Sequence, residues 1–220
     1  MLGYSKLKLM AHFLRREGKT LRCKNGKGKN NMKTLLITGF EPFGGQPINP
    51  SWEAVKNLPD AIGSYMLCKL EIPVIYGTAA QIVLDKAHEI HADAIICVGQ
   101  AGGRSAVTPE RIAVNIRDAK IADNAGVLHR GDRIAEDGPA AYFATLPVEK
   151  MAAAIENAHI PGAVSNTAGC YVCNDLIYTL LHRCQTPACF VHVPYIPEQG
   201  EPNLPLCSIV TALTAAIESL

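Results

Sequence analysis

Three short runs in this chain are almost unbroken in apolar residues and stop at glycine or proline: TLLITG (34–39), DAIICVG (93–99) and ACFVHVP (188–194). A strand wetted on one face alternates polar and apolar residues. One covered on both faces does not, and it reads as a short apolar run. The chain must therefore enclose a sheet between two layers. Helical spacing supplies them. Asn49 is a good N-cap and Pro50 a good first residue for a helix through NPSWEAVKNL. Ala80, Val83, Ala87 and Ile90 recur at helical spacing over 78–91. A short helix is expected over 147–158, after Pro147, and another through CYVCNDLIYTLLHRC, with Val172, Leu176, Ile177, Leu180 and Leu181 on its apolar stripe. A last helix is expected near Leu206 to Leu220.

Further strands are expected at LCKLEIPVIY (67–76) and at RIAVNIRD (111–118), where Ile112, Val114 and Ile116 alternate as one half-exposed strand. Residues 118–139 are polar and rich in Gly and Asp, and read as an excursion. Strands alternating with helices predict an α/β domain on a mostly parallel sheet. In such domains the site lies in loops at the carboxyl ends of the strands. Those loops here are GFEPFGG, GQAGGR, NTAGCYVC and VPYIPEQ.

Charge is unevenly placed. Residues 1–31 carry nine Lys and Arg against one acid, Glu17, or +8; the rest carries 12 against 19, or −7. The basic segment 1–31 is read as a disordered extension, and the domain as residues 32–220. Three readings of the extension stay open: a tail for nucleic acid or acidic lipid, a targeting peptide, or a start at Met32. It lacks the apolar core of about 7 to 15 residues of a secretory signal. The uncharged stretch Pro202 to Ile217 contains Pro205, Ser208 and two threonines, and falls short of the roughly 18 apolar residues of a membrane span. Eight cysteines in 220 residues suit reduced thiols in an intracellular protein rather than a disulfide scaffold.

Cys173 lies in the first turn of a predicted helix, where unpaired N–H groups and the helix dipole favour a thiolate. Cysteine is also among the most buried residue types, so ordinary packing is the competing reading. Cys170 and Cys173 form C-x-x-C, which also fits a redox pair or half of a zinc site. His192 interrupts an apolar strand, as a packed core residue or as a base on a rigid element. It follows Cys173 by one helix and one strand, and that connection returns the strand end to the edge where the helix began. A thiol and an imidazole can meet there, and the imidazole then needs an orienting acid. Glu110, just before a strand, is better placed than Asp93 or Asp175; the competing reading pairs it, exposed, with Arg111 or Arg104. Phe40 and Phe43 in GFEPFGG can wall a small apolar pocket or simply fill the core. Neither common phosphate-loop pattern is present.

Together, LLITGFEPFGG with NPSWEAV, ICVGQAGGR running into TPERIAVNIRDAKIADNAG, SNTAGCYVCN and FVHVPYIPEQ resemble the pyroglutamyl-peptidase I family of cysteine peptidases. The likeness spans nearly all of 32–220. It implies a single three-layer α/β/α domain with a mostly parallel, twisted central sheet. It also implies a triad of Cys173, His192 and Glu110, pocket residues Phe40, Phe43 and Gln100, and Arg104 near the site. The implied reaction removes an N-terminal pyroglutamyl (5-oxoproline) residue from peptides through a thioester acyl-enzyme, with no metal or organic cofactor. A cytoplasmic homotetramer is implied, with no membrane or nucleic-acid partner. Rivals from other classes are a C-x-x-C redox module and a catalytically silent α/β scaffold whose basic arm binds nucleic acid.

Overall fold

The structure, a computed structural model, describes residues 32–220. The expectations for residues 1–31 lie outside the described residues.

A six-stranded sheet runs in the order β2 (Ala61–Ile62), β3 (Tyr65–Ile72), β1 (Lys33–Phe40), β4 (Ala94–Gln100), β10 (Ala188–Val193), β5 (Thr108–Glu110). The four inner strands are parallel; β2 and β5 close the edges antiparallel. Among the described residues five helices flank it: α1 (Pro50–Asn57), α2 (Thr78–Glu89), α3 (Val148–Asn157), α4 (Val172–Arg183) and α5 (Leu206–Glu218). Because strand side chains alternate, the inner strands serve two cores. Leu35, Ile37, Ile96, Val98, Val191 and Val193 face α1, α3 and α5. Leu36, Phe40, Cys97 and Phe190 face α2 and α4. The expected layered α/β fold is therefore present, and the uninterrupted apolar runs have this cause.

The start of α1 is pressed onto the end of β1. A Cβ on Gly39 would lie 2.6 Å from the Trp52 Cα, so only glycine permits the approach. Asn49 caps the helix through Ser51 N–H (3.1 Å), and Ser51 Oγ accepts from Phe40 N–H (3.0 Å). This fixes where the GFEPFGG loop leaves the sheet.

Three expectations are corrected. The strand expected at 67–76 is β3, Tyr65–Ile72. Pro73 has no N–H to donate, and the loop after it is held by side chains, Val74 N–H on Glu41 and Tyr76 N–H on Asp123. The run expected as one strand at 111–118 is two pieces, β6 (Ile112–Val114) and β7 (Arg117–Asp118). Its phase is also reversed. Ala113 and Asn115 are buried, while Ile112, Val114 and Ile116 are only half-buried. The cause is Asn174 of α4, whose amide takes Val114 N–H (2.9 Å) and donates to the carbonyls of Val114 (2.8 Å) and Ile116 (3.0 Å). The excursion at 118–139 contains β8 (Arg130–Asp132), paired with β7, and is followed by β9 (Ala141–Phe143), paired with β6. The edge strand β5 was not expected at all.

Candidate active site

The carboxyl ends of β4 and β10 and the amino end of α4 converge. His192 on β10 is paired in register with Gly99 on β4. Cys173, the second residue of α4, lies above the same glycine: a Gly99 Cβ would stand 3.0 Å from its Sγ. Strand alternation puts His192 on the face of Phe190, its ring 4.7 Å away, which is the face α4 covers. Thiol and imidazole thus both adjoin Gly99, whose missing side chain makes room for the sulfur and the Phe190 ring.

Glu110 arrives from the edge strand. Phe190 is its direct cross-strand partner and His192 pairs with Thr108, so Glu110 is the diagonal neighbour of His192. His192 Nδ1 lies 2.7 Å from Glu110 Oε1, and both residues are buried. Arg104 Nη1 donates to the same oxygen at 2.6 Å and to Thr108 Oγ1 at 2.5 Å, while Nη2 donates to the Thr167 carbonyl at 2.9 Å. The exposed Glu110–Arg pairing is thereby corrected: the pair with Arg104 exists, but the carboxylate is inside. Arg111 goes elsewhere, to Glu149 and Asn166. Asp175 is committed to Arg117 and Gly77 N–H, and Asp93 to Thr34 N–H.

The protonation states follow from burial against neighbours. Burial would raise the Glu110 carboxyl, but the hydrogen bond and charge of His192, the Ser165 hydroxyl and Arg104 hold it below its ordinary 4.5. An ionised Glu110 can only accept, so Nδ1 of His192 carries the proton and Nε2 is left bare. Burial also lowers the His192 pKa from 6.5, helped by Arg104 and opposed by Glu110. Burial pushes the Cys173 thiol up to about 12, with the Glu110 and Cys97 charges adding to it and Arg104 and its own N–H opposing. The thiolate expected from the helix start is thus overridden by burial. The resting pair is thiol and neutral imidazole.

Phe40 and Phe43 line a narrow pocket of about 30 Å³ that opens on Cys173. Gln100, at the end of β4, and Val74 and Val172 complete its walls together with Asn49 and Tyr171. The Phe43 and Tyr171 rings are 6.2 Å apart, and Tyr171 O–H donates to the Ala122 carbonyl at 2.9 Å. Arg104, expected near the site, holds Glu110. Tyr171 was missed, although an aromatic two residues before the candidate nucleophile was a usable signal. Gln199 was missed too: its Nε2 donates to Gln100 Oε1 at 2.9 Å. Cys170 and Cys173 are free thiols, and burial and Asp118 raise Cys170 as well. Among the described residues no cluster of His, Cys, Asp and Glu is arranged to hold a metal ion, and no helix is long and apolar enough to cross a membrane.

A buried imidazole–carboxylate pair beside a sulfur at the rim of a parallel α/β sheet, opening on a small aromatic pocket, defines a thiol hydrolase for a compact, flat group. Comparison with known proteins specifies which. The pyroglutamyl peptidase family model matches residues 32–220. The pyrrolidone-carboxylate peptidase of Levilactobacillus brevis is 49% identical over 196 residues, covering 84% of this chain and 96% of that protein. That of Staphylococcus carnosus is 46% identical, covering 84% and 92%. The crystal structure of Bacillus amyloliquefaciens pyroglutamyl peptidase I superposes with a TM-score of 0.82 at 42% identity, covering 85% of this chain and 96% of that one. A mutant pyrrolidone carboxyl peptidase from the hyperthermophile Pyrococcus furiosus gives 0.80 at 39%, covering 84% and 97%. The chain belongs to the pyroglutamyl peptidase family, cysteine hydrolases that remove N-terminal pyroglutamate.

Proposed function

We propose that Cys173, His192 and Glu110 are the catalytic residues of this peptidase and that the reaction passes through a thioester acyl-enzyme. The observation that carries the reading is the 2.7 Å contact of His192 Nδ1 with Glu110, made beside the glycine over which Cys173 Sγ sits. The pyroglutamyl ring is a neutral, flat lactam, so it needs apolar walls and amide-type hydrogen bonds rather than a carboxylate for an ammonium group. Phe40, Phe43 and Tyr171 supply walls and Gln100 supplies an amide. Such a site rejects a prolyl ring, which lacks the carbonyl.

His192 Nε2 takes the thiol proton as Sγ attacks the scissile carbonyl, so the sulfur becomes anionic only where charge is used. The first amides of α4 have no intrahelical acceptor and face a developing oxyanion, an arrangement worth about 3 kcal/mol per donor. The imidazolium is held by Glu110 and protonates the leaving amine. Neutral again, His192 activates water against the thioester and Sγ leaves. Arg104 acts through Glu110, keeping it charged and pointed. By family likeness the enzyme works on peptides as a cytoplasmic homotetramer; the free thiols of Cys97, Cys170, Cys173, Cys184, Cys189 and Cys207 fit a reducing compartment.

The test is dye release from an L-pyroglutamyl amide, with the prolyl amide as control. Cys173→Ala is expected to lower kcat by about 10⁴-fold or more, while Cys170→Ser stays near wild type. Equal loss on substituting either cysteine would favour the redox reading instead.

A further inference from the structure

Gln199 belongs to the loop after β10, is half-buried, and touches nothing that reacts. Its amide is nevertheless fully engaged. Oε1 accepts from Ile196 N–H at 3.3 Å. Nε2 donates to the Ile48 carbonyl at 3.3 Å and to Gln100 Oε1 at 2.9 Å. A glutamine amide has nearly the same shape either way round, so its partners decide its orientation. Two partners here are backbone groups of fixed polarity: an N–H only donates and a C=O only accepts. They fix Gln199, and Gln199 in turn must meet an oxygen on Gln100.

Gln100 therefore turns its oxygen away from the substrate and keeps its NH₂ for whatever occupies the pocket it lines. Among the described residues that NH₂ has no protein acceptor. Resting on the pyroglutamyl peptidase reading, we infer that Gln199 is a specificity-determining positioning residue: it locks Gln100 as a hydrogen-bond donor to the ring carbonyl of the substrate. A pocket that offers N–H matches the lactam C=O, the one atom that separates this ring from proline. With Gln100 turned over, two oxygens would face each other, and the pocket would repel the group it has to read. Gln199 also ties the loop after β1, through Ile48, to the loop after β10, so the orientation is held from a rigid frame.

Gln199→Glu keeps the size and the Ile196 contact but puts an acceptor against Gln100 Oε1, which drives Gln100 over. The expected result is a KM for an L-pyroglutamyl amide raised at least about tenfold, in line with loss of one matched hydrogen bond. kcat is expected to change less than about threefold, with the acid limb of its pH profile unmoved, because the reacting groups are untouched. Gln100→Glu keeps its contact with Gln199 and replaces the pocket NH₂ by oxygen, so it should give the same rise in KM. The double variant should add little, because both changes remove one interaction. Thermal unfolding is measured alongside. An unchanged KM in Gln100→Glu, or a folded Gln199→Glu that loses kcat at unchanged KM, would overturn the inference; if Gln199→Glu does not fold, Gln100→Glu alone decides. A wild-type enzyme inactive on pyroglutamyl amides would instead overturn the functional reading beneath it.

Discussion

Replacing Gly99 by alanine adds one methyl group at the point where the site is tightest. The new Cβ would stand 3.0 Å from Cys173 Sγ, 2.5 Å from Phe190 Cζ and 2.9 Å from Phe190 Cε1. Carbon prefers neighbours at roughly 3.5 to 4.0 Å, so the sulfur must retreat by about half an ångström or more and the ring by about one. The ring has little room, being fully buried, 6.4 Å from Phe40 and 4.7 Å from His192 between centroids. Its displacement therefore passes to the imidazole, and nucleophile and base shift together. Misplacement on the scale of 1 Å costs about 100-fold in rate, and overpacking costs about 1 to 3 kcal/mol of stability. For a domain of this size that is a fall in Tm of roughly 2 to 12 °C. Dye release from an L-pyroglutamyl amide and a thermal melt measure the two effects. A variant that keeps kcat/KM within threefold of wild type and melts at the same temperature would refute the placement of the sulfur over Gly99.

Other outcomes follow from protonation and hydrogen bonding. The active base is neutral His192, whose folded pKa lies below 6.5, so the acid limb of kcat/KM should fall below that value. The same sign governs stability: the neutral buried imidazole contributes above pH 6.5 and its contribution is lost as pH falls below it; that of Glu110 is lost further down, below 4.5. Arg104 lowers the pKa of both groups, so Arg104→Ala should move the acid limb to higher pH and cost more activity at pH 6 than at pH 8, measured as a pH–rate profile. Asn174→Ala strands Val114 N–H and the Ile116 carbonyl, while the Val114 carbonyl keeps Ile116 N–H; at about 1 to 3 kcal/mol for each group left unsatisfied, the chemical denaturation midpoint should drop clearly.

Three inner strands, β1, β4 and β10, were legible because they are buried on both faces and so read as nearly unbroken apolar runs. Cys173 and His192 were legible as neighbours because a parallel crossover returns the chain to one rim. The edge strand carrying Glu110 was not, since Pro109 argues against a strand and only antiparallel pairing at the edge tolerates it. The reversed phase of β6 was invisible because its partner, Asn174, is 60 residues away and replaces a strand. The charge state of Cys173 was misjudged from the helix start alone. Spacing reveals a dipole, but not how much protein surrounds a sulfur. Gln199 lay within a motif whose histidine drew the attention.

A sulfhydryl that rests protonated makes the enzyme selective toward electrophiles. Alkylating agents that capture whatever anion they meet in bulk will find little here and should react slowly. A warhead that first seats a five-membered lactam between the aromatic rings, and so recruits the imidazole, would summon the reactive form at the moment of contact. Covalent inhibitors for this chain are therefore best built from the ring outward, with intrinsic reactivity kept low.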